Sequence, residues 1–264
     1  MTHKRNNSSY FSNYIGFYTL VKKEIVRFMS VAAQTFYPPI ISSVLYMFIF
    51  GLAIGSFVKN IDGFNYLTFL IPGLIMMNII NSAYANTSSS LFIARFLKSI
   101  EDMLVSPLSY MEMVLAYVLG GIVRGLLVGG VILIISFFFV KIPFVNIPLM
   151  LFFAIFTSII FSCIGILIAL VSEKFDHLSI LTTFIINPLT YLGGVFYSTK
   201  MLPPMLAKVT YFNPMFYMIS GLRYSMLGIQ EGNIWFATGL VFFMGVGLFL
   251  LCVYLFKIGY KIRQ

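Results

Sequence analysis

The sequence predicts an all-α integral membrane protein with six transmembrane helices. An amino-terminal amphipathic interface helix precedes them, and an external re-entrant helical hairpin separates spans five and six. Three observations carry this. Of 264 residues, 60% are hydrophobic and only 9% are charged, whereas a water-soluble domain needs about 25% charge to cover its surface. The apolar stretches are long and unbroken, each near the roughly 20 residues a helical span requires. They lack the alternating ten-residue segments of barrel strands.

The first element, 14–29, is too charged to insert. Tyr14, Phe17, Val21, Ile25 and Phe28 recur at three- or four-residue steps, with Lys22, Lys23 and Arg27 on the other side. That spacing predicts a helix lying in the membrane interface; a solvated basic tail is the alternative. Six apolar runs follow, at 32–57, 65–88, 113–139, 147–171, 178–197 and 234–256, expected to form one transmembrane domain over 1–264. Segment 199–233 is long for a loop and largely apolar, yet its apolar stretch is too short to span. It reads as short helices dipping into the outer leaflet, with turns at Pro203-Pro204 and Asn213-Pro214.

Orientation follows from Lys and Arg in the short loops. Eleven fall on the side of the two termini and five on the other, with Arg124 inside a span. Both termini are therefore expected in the cytoplasm. No apolar run with a small-residue cleavage site follows the start Met1-Thr2-His3-Lys4-Arg5, so no removable leader is expected.

Several functions are disfavoured. The net charge of +9 is spread along the chain, without the basic and aromatic stripe of a nucleic-acid face. Cys163 and Cys252 lie in apolar runs, and two cysteines build neither a disulfide framework nor a metal site. No phosphate-binding loop, HExxH or GxSxG occurs, and His3 and His177 have no catalytic surroundings; no enzyme and no directly bound cofactor or metal are expected. All eight acids fall in loops or at span ends. Ion-coupled carriers place such groups at mid-membrane depth, so any energy should come from another polypeptide.

Four residues are candidates for a translocation path: Asn78, Asn81 and Asn86, on a polar face of the second span with Ser82 and Ser89, and Arg124. The asparagine face suits packing or a path equally. Arg124, beside Gly121, Gly125 and Gly129, could meet an anionic substrate or lipid headgroup, or bond to helix carbonyls. The cytoplasmic loop 95–107 (Arg95, Lys98, Ile100, Glu101, Asp102, Leu104, Pro107) can form a short amphipathic helix stopped by Pro107. Phe96, Ile100, Met103 and Leu104 give it an apolar side suited to a soluble partner.

That loop is followed by Tyr191-Leu192-Gly193-Gly194-Val195-Phe196-Tyr197, Leu202-Pro203-Pro204, Asn213-Pro214 and Gly221-Leu222-Arg223-Tyr224. In this order the segments resemble the ABC-2 family of export permeases over essentially the whole chain. Tyr37-Pro38-Pro39, Pro72-Gly73-Leu74-Ile75-Met76-Met77 and Ala83-Tyr84-Ala85-Asn86 are similar to its YadH-like bacterial inner-membrane members. The resemblance implies a homodimeric permease in the bacterial inner membrane, in contact with its lipids and with separately encoded ABC ATPase subunits that bind ATP and Mg. It places the coupling helix in 95–107, with Glu101 at the family's acidic position, and has the interface helix complete the ATPase contact. Gly193, Gly194, Pro203, Pro204, Asn213, Pro214 and Arg223 would shape the external hairpin. The chain departs from many members at Ala94-Arg95, where they have Glu-Arg, and at Ser198, where they have proline. A stand-alone channel or secondary carrier, and a membrane scaffold without transport, are the competing classes. The substrate is left open: Tyr211, Phe212, Phe216, Tyr217 and Tyr224 suit sugar stacking or an interfacial belt.

Overall fold

The computed structural model describes residues 14–54 and 60–261. The cations Lys4, Arg5, Lys59 and Arg263, and the expected end of the first span at 55–57, lie outside the described residues. Helix α1 (Tyr14–Ser30) breaks at Val31 into α2 (Ala32–Phe48), which continues as a π-helical turn, Ile49–Ile54. A two-stranded ribbon, β1 (Asn60–Ile61) and β2 (Phe64–Asn65), turns through Asp62 and Gly63. Both turn residues have positive φ, 49° and 86°, the geometry that matches strand twist in a two-residue hairpin.

The long helices are α3 (Tyr66–Phe96), α5 (Tyr110–Ser136), α6 (Ile147–Val171) and α11 (Ile234–Ile258), with a short α4 (Ser99–Val105) between α3 and α5. With α2, they are the five helices among the described residues long and apolar enough to cross a membrane. The expected fifth span, 178–197, is not one regular helix. Helical backbone runs from α7 (Asp176–Leu181) through a π turn, Thr182–Ile186, into α8 (Asn187–Leu192). The π turn ends just before Asn187-Pro188, where a missing N–H and the proline ring interrupt the hydrogen-bond ladder. Gly193 caps the run, and Gly194 at φ 86° turns the chain away, so 193–197 is a turn. The segment 199–233 holds α9 (Pro204–Phe212) and α10 (Pro214–Leu227), separated at Asn213 as expected.

Helix α3 is the axis of the bundle. It continues to Phe96, beyond the expected 88, because Ser89–Phe96 still packs against neighbours: Ser90, Leu91, Phe92 and Ala94 are buried. One core cluster surrounds its first two-thirds with α6 and α10; a second joins its last turns to α1, α4, α5, α6 and α11. Close approach depends on glycine. A Cβ on Gly165 of α6 would lie 2.8 Å from the Tyr84 carbonyl oxygen of α3 and collide with the Thr87 hydroxyl. Helix starts follow a rule of their own: the side chains of Asn65, Asn146, Asn213 and Asn233 accept backbone N–H bonds at the heads of α3, α6, α10 and α11. Ser109 and Glu112 form a capping box on α5.

Candidate functional site

Three places collect the candidate residues: the end of the bundle where α4 lies, the face of α3 left uncovered, and the segment 193–233 around Arg223.

At the first, Lys98 adopts a left-handed conformation (φ 56°) and reverses the chain from α3 into α4. Helix α4 ends at Val105 because Ser106, before Pro107, is extended. Its apolar side is already occupied. Ile100 is buried in the second core cluster with Leu20, Phe92, Leu108 and Tyr117, and Met103 and Leu104 pack against that cluster. The expected assignment of this side to a partner is therefore corrected. The side facing outward carries Glu101 and Asp102 in the first turn, with Phe96, Leu97, Lys98, Val105 and Pro107 exposed around them.

Arg95 is also corrected. It belongs to the last turn of α3 and donates to the carbonyls of Ala169 and Ser172 at the end of α6, the latter at 3.3 Å. It ties two helices together and does not project from a loop. Clefts flank α4 on both sides. One of about 380 Å³ is lined by Leu20 and Lys23 of α1, Asp102 and Met103 of α4, and Tyr117 of α5. The other, about 260 Å³, has a charged rim of Arg95, Lys98, Glu101, Glu173 and Lys261.

Helix α1 seats Leu20, Glu24 and Phe28 against the bundle. Lys22 and Lys23 are exposed, but Arg27 turns inward, a correction to its place on the solvated side. Its guanidinium donates to the Asn86 side-chain and main-chain oxygens, both at 2.9 Å, and to Glu24 at 3.4 Å. Ser90 donates to Glu24 at 2.7 Å. Burial pushes the Glu24 carboxyl above its ordinary range, against the opposing pull of Arg27, Ser90 and Lys23. Tyr14, Ile15, Tyr18, Val26 and Met29 form an exposed apolar strip on α1.

On α3 everything from Thr68 to Phe92 is buried except Asn81, Ala85 and Ser89, a line at four-residue steps. Tethers flank that line on either side. Asn78 donates to Ser43 of α2 at 3.0 Å, and the Tyr84 hydroxyl donates to the Leu178 carbonyl of α7 at 3.0 Å. The four path candidates thus separate. Asn78 and Asn86 are buried and hold helices together, while Asn81 and Arg124 are only part-buried. The Asn81 Oδ1 has no hydrogen-bond partner among the described residues.

The profile of a family described as ABC-2 type transporter matches residues 15–227. The inner membrane transport permease YadH of Escherichia coli (strain K12) is 42% identical over 242 residues, covering 92% of this chain and 94% of that protein. The chain belongs to the ABC-2 transporter family. It is thereby a multi-pass membrane transport permease rather than an enzyme. Nodulation protein J of Azorhizobium caulinodans is similar at 24% identity, over 73% of this chain and 78% of its own length. Nodulation protein J of Rhizobium leguminosarum bv. viciae is 23% identical, over 80% and 78%.

In this ABC-2 permease two of the hairpin candidates, Gly194 and Arg223, meet at one buried ion pair. Arg223 of α10 bonds to Glu231, donates to the Gly194 carbonyl at 2.7 Å, and lies 3.9 Å over the Phe69 ring of α3. The Thr199 amide donates to Glu231 at 3.2 Å. Gly193 ends α8, Gly194 supplies the turn, Pro203 and Pro204 open α9, and Pro214 follows the Asn213 cap of α10. Asn213 also donates to the Leu189 carbonyl of α8. Glu231 was missed as a site residue, although it is the one acid in 199–233 and Arg223 is the most deeply placed cation there.

Proposed function

We propose that the chain is the membrane subunit of an ABC exporter, working as a homodimer with two separately encoded ATPase subunits. Those partners bind ATP and Mg; this chain carries out no bond chemistry. Its closing and opening motions pass from the ATPases through α4, and the substrate leaves the cytoplasm along the polar line of α3. The protein resides in a bacterial inner membrane with both termini in the cytoplasm. The 176–192 helical run serves as a sixth span, α1 lies in the cytoplasmic interface in contact with lipid, and α9–α10 form the external re-entrant hairpin.

The outward face of α4 supports this reading most strongly. Its Asp102 stands across a cleft from α1 and its Glu101 lines the cleft on the other side, while its inner face is anchored in the core, so a force applied there reaches α1, α3 and α5 together. The line Asn81, Ala85 and Ser89 supports the path, since it is the part-buried face of an otherwise buried helix and carries an amide and a hydroxyl that a lipid-facing surface does not need. Exposed apolar faces on α2 (Tyr37, Ile41, Leu45) and on the 176–192 run (Ile180, Phe184) border it; a second copy would cover them and close the path.

The test is a Glu101→Lys, Val105→Asp double variant, assayed for the co-purifying ATPase and for ATP turnover in mixed lipid vesicles. Both side chains are exposed, so the variant should fold with an unchanged melting temperature and lose its partner. Retention of the ATPase at wild-type stoichiometry would remove α4 from the docking surface.

A further inference from the structure

Three buried hydrogen-bond donors without partners among the described residues come from α1, α3 and α5: Arg27 Nε, Asn86 Nδ2 and Arg124 Nε. These helices meet at Gly120, where a Cβ would lie 2.9 Å from the Glu24 Cβ and 3.0 Å from Asn86 Nδ2. Arg124 follows one turn later on the same face of α5. Side chains on a helix lean toward its amino-terminus, which directs the Arg124 side chain back toward the level of that glycine. Arg27 bonds to Asn86, whose amide faces Gly120, so the arginines of α1 and α5 flank the same helix crossing. The orientation of the Asn86 amide is set, because its Oδ1 accepts from Arg27, and this leaves Nδ2 toward Gly120.

Glu24 is the acid facing this cluster, and Ser90 and Arg27 already engage it. Arg124 makes no hydrogen bond among the described residues, so its charge is uncompensated. Buried donors are costly when unbonded, and two neighbouring guanidinium groups repel. A single acceptor carrying negative charge relieves both penalties. Arg124 and Arg27 are each only part-buried, so the two guanidinium groups are open to their surroundings, while Asn86 behind them is fully buried. With α1 in the cytoplasmic interface, Arg124 lies about 6 Å deeper than Gly120, near the boundary of headgroups and acyl chains.

We infer that Arg124, with Arg27, forms a site for a phosphate group at the cytoplasmic leaflet, carried by a lipid headgroup or as the free anion. Guanidinium suits this ligand because its planar fork donates two parallel bonds to phosphate oxygens. The inference rests on the exporter reading only for the depth of α1.

The experiment is native mass spectrometry of the purified complex titrated with phosphatidylglycerol, with diacylglycerol of the same acyl chains, and with inorganic phosphate. Phosphatidylglycerol should bind wild type at least about tenfold more tightly than Arg124→Gln, with Arg124→Lys between them and diacylglycerol not retained. The same Arg124 dependence for inorganic phosphate, without a lipid preference, identifies the free anion as ligand. Equal phosphatidylglycerol affinity in wild type and Arg124→Gln, or equal retention of diacylglycerol, overturns the site. Should Arg124→Gln not fold, the wild-type melting temperature decides: phosphatidylglycerol raises it and diacylglycerol does not, and equal shifts overturn the proposal. ATPase co-purification from the same wild-type and Arg124→Lys preparations reports on the exporter reading separately.

Discussion

Arg223 and Glu231 stand eight residues apart, and their side chains are 0% and 1% exposed. Removing one member of such a pair leaves the other charge buried and unmatched, at a cost of about 3–5 kcal/mol. Glu231→Ala should therefore lower the melting temperature in detergent sharply. An Arg223→Met, Glu231→Leu double variant should lose less than Glu231→Ala, because no unpaired charge remains. Equal losses would show that the pair contributes packing alone. Sequence pattern exposed Arg223 as unusual but did not reveal its partner, since the contact closes across the Gly228 turn. The same limit applied to Arg27: spacing put it with Lys22 and Lys23, and only its reach to Asn86, 59 positions away, draws it inward.

Among the elements, the regular ones were legible and the interrupted ones were not. Span 147–171 coincides with α6, because Asn146 caps one end and the extended Ser172 stops the other. Span 178–197 failed as a regular helix at Pro188 and Gly193, whose effects compete with a hydropathy signal that ignores backbone geometry. The short helix within 95–107 was legible, but its apolar side was assigned to a partner when its own bundle covers it; periodicity shows that a face is buried, not by what. Helix α1 yields a pH prediction. Its Glu24 has a raised pKa in the fold, so the fold favours the protonated carboxyl. The resulting stability is fully present below the unfolded value of about 4.3 and is lost as pH rises through the raised folded value. Lowering the pH from neutral toward 5 should thus increase the stability of wild type relative to Glu24→Gln, read as the difference between their melting temperatures. A difference that shrinks on acidification would contradict this account of the α1 contact.

For the whole molecule, the proposed homodimer would seat its second copy on the uncovered faces of α2 and of the 176–192 run. Cys163 and Cys252 are buried and free, which leaves a quiet background for cross-linking. A cysteine at Phe184 should form a disulfide-linked dimer under mild oxidation in native membranes. A cysteine at Phe243, equally exposed but on α11, should not. Cross-linking at Phe243 alone would move the interface to the other side of the bundle.

The central claim is that this permease draws its energy from a separate ATPase. Purifying the tagged chain from its native membrane in mild detergent, with mass spectrometry of what accompanies it, tests that most directly. The account predicts a near-stoichiometric companion bearing a GxxxxGK[ST] phosphate-binding loop. Recovery of the chain repeatedly alone, under conditions that keep other transporter complexes intact, would contradict it.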